Sequence, residues 1–283
     1  MKIVFFGTPN YCLPILNRLH KVHKDKAGIS PIAAVVTQKP KPVGRKKIPT
    51  YSPIDKWAHE RNLPIFYNSE ELIESGIKAS LGVLAAYGAI IPKKVIDFFP
   101  SGILNVHPSL LPKYRGASPI QATIISGKKQ TGVSIIKVDK EVDHGPIISQ
   151  FKEDILANDT TETLRQRLFE RSAEVLVELL PSYLQGKITP RKQDHSKATF
   201  TTQIKKENGF IPLKYLKAAI SGEVLNKKWK IDFMKNFSLQ VNANTLERFI
   251  RAMQPWPIAW TLLHKGFGGQ AKRLKILKAH IEN

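Results

Sequence analysis

Residues 1–10 read MKIVFFGTPN. A lysine precedes a short apolar run, which ends at Gly7-Thr8-Pro9. The run is much shorter than the ~20 apolar residues of a membrane span, and no cleavage site typical of a secretory signal follows it. We therefore predict that Lys2–Phe6 is a buried first strand. Other runs farther along the chain are equally short, rich in Val, Ile, Leu or Ala, and bounded by Gly, Pro or Asn. They are Pro31–Thr37, Pro64–Phe66, Leu81–Ala86, Ile103–His107 and Gly132–Val138.

Helical patterns separate these runs, and proline stands at the predicted start of three of them, where its missing N–H costs nothing. The alternation of strand and helix predicts an α/β fold with a Rossmann-like, mostly parallel, doubly wound sheet. In such a fold, ligands bind at the carboxyl ends of the strands. The helix candidates are Tyr11–His23, Pro53–Arg61, Pro92–Phe98, Pro119–Ser126 and the long Thr160–Gln185.

The end of the long helix divides the chain. We predict a catalytic domain over residues 1–186, a linker over 187–202 that is rich in Lys and Thr and poor in large apolar residues, and a C-terminal domain over 203–283. The C-terminal domain should be a small OB-like β-barrel around one helix, Asn244–Met253, with Asn244 as N-cap and Glu247 completing a capping box. Its predicted strands are Trp229–Phe233, Leu239–Val241, Trp260–Leu263 and Arg273–Leu277.

The charge of the chain favours a polyanionic partner. Lys and Arg number 44 against 23 Asp and Glu, which gives a formal net charge of +21. Residues 203–283 carry 15 Lys and Arg against 5 Asp and Glu, so their net charge is +10 and the first 202 residues carry +11. The C-terminal segment is therefore about twice as basic per residue, as expected for a domain that holds nucleic acid. An anionic membrane and a merely solvated, lysine-rich surface are the alternatives.

Cys12 is the single cysteine in the chain. An internal disulfide is therefore impossible, and a thiolate metal site is disfavoured. We expect no metal, no membrane association, a cytoplasmic location and a monomer.

The residues with the richest chemistry follow the predicted strand Ile103–His107. Asn105 and His107 are two positions apart, so they lie on one face of that strand at its carboxyl end. The amide can donate to a developing oxyanion, and the imidazole can move a proton near neutral pH. Asp143 follows a later strand and is close to Gly145 in a predicted turn, from which it could reach the same place. A turn that contains a satisfied histidine is the plainer interpretation.

Three segments resemble the folate-dependent formyltransferases: VLAAYGAIIP at 83–92, NVHPSLLPKYRGASPIQ at 105–121, and DKEVDHG at 139–145 after TGVSI at 131–135. The resemblance implies that Asn105, His107 and Asp143 are catalytic. It also implies that 10-formyltetrahydrofolate is the formyl donor, bound by a set of backbone groups and apolar side chains. That set is Ala85, Ala86, Tyr87, Gly88, Ala89, Ile90, Ile91, Ser109, Leu110, Leu111, Pro112, Asp139 and Val142.

Two further segments favour the branch of this family that formylates initiator methionyl-tRNA for translation initiation. The loop at 37–49, TQKPKPVGRKKIP, resembles the loop that grips the tRNA acceptor stem, and Arg45 matches its key arginine. The segment at 246–257, LERFIRAMQPWP, resembles the signature of the tRNA-binding barrel. Without the resemblance, these would be a solvated loop and an ordinary helix. The implied tRNA-binding residues are Lys39, Lys41, Arg45, Lys46, Lys47, Arg248 and Arg251.

The sequence is also compatible with other functions. A formyltransferase for a small amine, such as a nucleotide-linked amino sugar or glycinamide ribonucleotide, would share the site but would need no basic domain. A formyl-folate hydrolase and a nucleic-acid-binding module with an inactive site are further alternatives. A dehydrogenase is disfavoured because Gly7-Thr8-Pro9 lacks the G-x-G-x-x-G fingerprint.

The resemblance to the folate-dependent formyltransferases runs from Met1 to about Trp260. Residues 210–235 are longer than the usual connection, and family barrels continue beyond the segment that matches Ala279–Asn283, so the barrel's completeness is left open.

Overall fold

The computed structural model describes residues 1–24, 26–43, 47–263 and 271–281, except the side chain of Val43. Its helices are α1 Leu13–Val22, α2 Pro53–His59, α3 Glu71–Glu74, α4 Lys93–Asp97, α5 Pro119–Ile125, α6 Thr161–Leu184, α7 Leu213–Ile220 and α8 Ala243–Ala252. Its strands are β1 Ile3–Gly7, β2 Ile32–Val36, β3 Lys41–Val43, β4 Ile48–Thr50, β5 Ile65–Phe66, β6 Leu81–Ala85, β7 Ile103–His107, β8 Arg115–Gly116, β9 Gln130–Lys137, β10 Ile147–Asp154, β11 Phe200–Thr201, β12 Leu225–Lys230, β13 Ser238–Val241, β14 Ala259–Leu263 and β15 Lys272–Ile276.

The chain forms two compact units, each built from separate segments. The first contains Met1–Pro108, Val133–Phe151 and Gln166–His195, and the second contains Ser109–Gly132, Lys152–Arg165 and Ser196–Asn283. The domain boundaries at 186 and 202 stay a prediction, since they describe consecutive stretches of sequence rather than these composite units. None of the helices in the described ranges has the length and apolar content needed to cross a membrane.

A seven-stranded sheet in the order β10-β9-β7-β6-β1-β2-β5 confirms the predicted Rossmann-like, mostly parallel fold. Strand β1 pairs in parallel with β2 and β6, and β6 pairs in parallel with β7. Every residue of β1 is buried, as expected for a central strand covered on both faces. Strand β9 is antiparallel to β7. We did not predict the edge strand β10, because its polar residues are half-exposed and give no continuous apolar run.

Two details of the predicted helix starts are wrong. Pro92 is the N-cap of α4, with ψ of 149°, rather than its first helical residue. Asn242, not Asn244, caps α8, because its side chain accepts a hydrogen bond from Thr245 N at 3.0 Å. Thr245 completes the capping box in place of Glu247, whose carboxylate instead contacts Arg251 one turn later.

The second unit contains the smaller β domain that we predicted. Strands β12 and β13 form one antiparallel pair, and β14 and β15 form another. Within the described part of residues 203–281 these pairs are separate sheets, so a closed OB-like barrel stays a prediction.

The predicted linker is not featureless, because β11 within it pairs in parallel with β8. A side chain at Gly116 would place its Cβ 2.0 Å from the carbonyl oxygen of Thr201, so only glycine allows this pairing. The linker therefore contributes regular structure to the second unit.

Candidate active site

Strand β7 carries Asn105 and His107 at its carboxyl end, as the spacing of the two residues predicts. The loop after β9 brings Asp143 to the same end. Two backbone features allow this loop to fold back. Gly145 lies against Lys137, where a Cβ would be 1.8 Å from the carbonyl oxygen. Asp143 itself has a φ of 52°, in the left-handed region that aspartate tolerates better than most residues.

The carboxylate of Asp143 contacts both β7 residues. Its Oδ1 accepts a hydrogen bond from Asn105 Nδ2 at 3.1 Å, and its Oδ2 lies 3.3 Å from His107 Nδ1. The side chains of His107 and Asp143 are only 5% and 8% exposed. A buried carboxylate beside Nδ1 favours a proton on that nitrogen and fixes the orientation of the ring. The amide, the imidazole and the carboxylate therefore form one oriented group.

Gln193 also belongs to this arrangement, although sequence reasoning missed it. Its Nε2 donates to the carbonyl oxygens of Asp143 and Gly145, at 2.9 and 2.7 Å, and the residue is 6% exposed. It stands in the predicted linker, 50 residues from Asp143. A single glutamine in a polar segment carries no periodic or motif signal, so only the folded chain reveals its position.

The predicted pterin loop, Ala85–Ile91, follows β6 at the same edge of the sheet. Ala86 and Gly88 have positive φ values of 49° and 82°, which curl the backbone away from the strand. Among the described residues, the backbone N–H groups of residues 87–91 have no backbone acceptor, and residues 88–90 are exposed to solvent. Ile90 is 81% exposed and adds an apolar surface.

Tyr87 anchors this loop rather than offering its side chain to a ligand. The ring packs edge-on against Phe6, with a centroid distance of 5.9 Å, and burial raises the pKa of its hydroxyl. Its carbonyl oxygen accepts a hydrogen bond from Thr8 Oγ1 at 2.9 Å. Any contribution of Tyr87 to folate binding would therefore come from its backbone.

The remaining predicted folate residues lie in two loops. Ser109–Pro112 belongs to the second unit, where Ser109 is fully buried and its Oγ donates to Lys113 O at 2.6 Å. In the first unit, Asp139 Oδ2 lies 2.6 Å from His144 Nδ1, and Val142 is 59% exposed. The role of each of these residues in folate binding stays a prediction.

The basic residues predicted to bind tRNA have different surroundings. Lys39, Lys41 and Lys47 are exposed near the β3–β4 hairpin, whereas Arg45 and Lys46 lie outside the described residues. In the second unit, the Nε of Arg248 is buried without a hydrogen-bond partner among the described residues, and burial lowers its pKa. Arg251 contacts the Glu247 carboxylate and the Asp159 carbonyl, so part of its hydrogen-bonding capacity is used within the protein.

Comparison with known proteins gives a consistent result. Residues 1–180 match the family model described as Formyl transferase, and residues 233–283 match Formyl transferase, C-terminal domain. Methionyl-tRNA formyltransferase of Chloroflexus aggregans is 37% identical over 267 residues, which cover 92% of this chain and 76% of that protein. The enzyme of the same name from Thermus thermophilus is 34% identical over 281 residues, with coverages of 97% and 80%.

Solved structures share the fold. A 4-N formyltransferase from Francisella tularensis has a TM-score of 0.64 and 18% identity, with 99% of each chain covered. A methionyl-tRNA formyltransferase from Clostridium thermocellum has a TM-score of 0.55 and 20% identity, with 98% of this chain and 99% of that chain covered. The family matches and the identity of 34–37% to these relatives over more than nine-tenths of the chain carry the assignment: this chain belongs to the formyl transferase family.

Proposed function

We propose that this chain transfers the formyl group of 10-formyltetrahydrofolate to the α-amino group of initiator methionyl-tRNA. The observation that carries the chemistry is the contact of one buried carboxylate, Asp143, with both Asn105 and His107. The choice of acceptor is supported by two relatives named methionyl-tRNA formyltransferase, whose alignments cover 92% and 97% of this chain. The formylated tRNA would serve translation initiation, and we expect the enzyme to act in the cytoplasm as a monomer.

The three side chains divide the work of formyl transfer. Formyl-folate supplies an activated formyl carbon when it is bound. One Nδ2 hydrogen of Asn105 is donated to Asp143, and the second can stabilise negative charge that develops on the formyl oxygen. With Nδ1 directed at Asp143, His107 donates to the same oxygen through Nε2 when the ring carries both protons. Asp143 orients His107 and, with water, relays the proton that the amine loses as its nitrogen bonds to the formyl carbon. That proton would pass to the folate nitrogen as its bond to the formyl carbon breaks, so that tetrahydrofolate leaves. The arrangement requires no covalent intermediate with the protein.

The loop after β6 fits the proposed folate. A pterin is a flat ring with an amide-like edge, and such an edge is recognised well by backbone groups in an apolar setting. Residues 88–90 are exposed, their N–H groups have no backbone acceptor in the described part of the chain, and Ile90 provides apolar surface. This combination supports the pocket that the family resemblance implies.

The proposed reaction can be tested with purified protein, 10-formyltetrahydrofolate and methionyl initiator tRNA, by measuring formylmethionine released from the tRNA. We expect transfer that weakens as salt concentration rises, because phosphate contacts release counterions. Two controls replace the tRNA, one with an amino-sugar nucleotide and one with buffer alone. Preferred transfer to the sugar, or formate release without an acceptor, would contradict the proposal and favour the small-amine or hydrolase alternative.

Replacement of Arg45 by alanine should weaken the use of tRNA while preserving the use of formyl-folate. We expect the KM for tRNA to rise about tenfold and the salt dependence to fall by about one phosphate contact. Arg18→Ala is the matched control, because it removes the same charge from an exposed position on α1. Equal effects of the two substitutions on tRNA use would mean that Arg45 contributes only to the net charge.

A further inference from the structure

The segment Arg191–His195 runs along the loop that carries Asp143. Arg191 and Ile147 exchange two backbone hydrogen bonds, each 2.8 Å long, in an antiparallel bridge. Two residues farther on, the side chain of Gln193 reaches the backbone of Asp143 and Gly145. His195, two residues farther again, stacks on His144 with a centroid distance of 4.0 Å and an interplanar angle of 4°. Alternate residues of one extended segment therefore contact this loop and the first residue of β10, which follows it.

Gln193 makes the most specific of these contacts. A primary amide nitrogen carries two hydrogens, and the two acceptors are carbonyl oxygens two residues apart, at 2.9 and 2.7 Å from Nε2. The contact lies in a buried region, where a carbonyl that loses its donor is penalised. One of the two acceptors is the carbonyl of Asp143 itself, whose φ of 52° is a conformation that the surrounding structure must maintain.

We propose that Gln193 is a positioning residue for the formyl-transfer reaction, and this inference rests on the proposed function. By holding the backbone on either side of His144, it keeps the Asp143 carboxylate at its distances of 3.1 and 3.3 Å from Asn105 and His107. A misplacement of about 1 Å in such a group can lower a rate by about 10². Gln193 acts through Asp143 and has no direct part in the chemistry.

The decisive variant is Gln193→Met, which preserves the approximate volume of the side chain and removes both donors. We expect kcat to fall about 10- to 100-fold, whereas KM for each substrate stays within about threefold of its original value. Gln185→Met is the matched control, since Gln185 is exposed at the end of the long helix and should tolerate the change. A kcat for Gln193→Met equal to that of Gln185→Met would overturn the inference. A rise in KM with unchanged kcat would overturn it as well.

Hydrogen exchange provides a readout that does not depend on the reaction. In Gln193→Met, peptides covering residues 139–147 should exchange about tenfold faster than in the Gln185→Met control, because the loop opens more often. Unchanged protection of these peptides would mean that Gln193 does not hold the loop. A wild-type enzyme without formyl transfer would instead defeat the proposed function, and the exchange result would still show whether Gln193 holds the loop.

Discussion

Replacing His107 by alanine is expected to lower kcat by roughly 10²–10³-fold, the usual cost of removing one preorganised donor to a developing oxyanion. His107 is the better test of the two β7 side chains because it is 4% exposed and its Nδ1 faces Asp143. Its loss removes the imidazole that would polarise the formyl group and take part in proton movement. The measurement is single-turnover formylation with saturating folate and methionyl-tRNA, so that binding and product release do not obscure the chemical step.

His59→Ala is the matched control for this variant, because His59 is exposed at the end of α2. Circular dichroism and thermal melting should show that both variants stay folded. Turnover by His107→Ala at the rate of the His59→Ala control would show that the imidazole has no part in the mechanism.

Asn105→Ala should lower kcat by the same order as His107→Ala, since the Asn105 amide is the other proposed donor.

Replacing Asp143 by asparagine is expected to reduce kcat by about 10²–10⁴-fold. Asp143 accepts from Asn105 and contacts His107 Nδ1, so the carboxylate supports both proposed donors. Asparagine replaces one of the two carboxylate oxygens by an NH₂ group, which is a donor. That donor would face the N–H group of Asn105 or of His107, so one of the two hydrogen bonds would be lost. It also cannot stabilise a positively charged imidazole or relay the amine proton. Comparable substitutions in carboxylate–histidine pairs act through the wrong tautomer and reach the upper end of this range.

Asp97→Asn is the corresponding control, since Asp97 is exposed and interacts with Lys93 on α4. The two variants should be compared in kcat and in the affinity for 10-formyltetrahydrofolate, measured by titration without an acceptor. We expect the affinity to change by less than about threefold, because Asp143 is assigned to the chemical step rather than to ground-state binding. A large loss of folate affinity with normal kcat would assign Asp143 to the pterin pocket instead.

The parts of the site that could be predicted are those set by local pattern. The two-residue spacing of Asn105 and His107 places both on one face of β7 without knowledge of the rest of the chain. The position of the site at the end of the parallel strands follows from the alternation of strands and helices. Local pattern alone does not predict the position of Asp143. Its predicted role came from the family resemblance, and its contact with His107 depends on how the loop after β9 folds back to the sheet.

The parts that could not be predicted depend on contacts between distant residues. Gln193 lies in a polar segment that was predicted to be a linker. Its amide donates to the Asp143 carbonyl only because this segment pairs with the chain at Ile147 in the folded protein. Strand β10 is half-exposed at a sheet edge, so its sequence shows no continuous apolar run. The observed N-cap of α8 lies two residues before the predicted one, because Asn242, rather than Asn244, adopts the extended backbone that capping requires.

The sequence by itself determined the α/β class, the buried central strands, the basic C-terminal segment and the face that carries Asn105 and His107. These features depend on the hydrophobic period, charge and spacing of neighbouring residues, which physical chemistry relates directly to local structure. Only the tertiary structure decided the contacts of Asp143, the anchoring of Tyr87 and the place of Gln193. Each of these depends on hydrogen bonds or packing between residues far apart in the chain, and such pairings exist only when the whole core has formed.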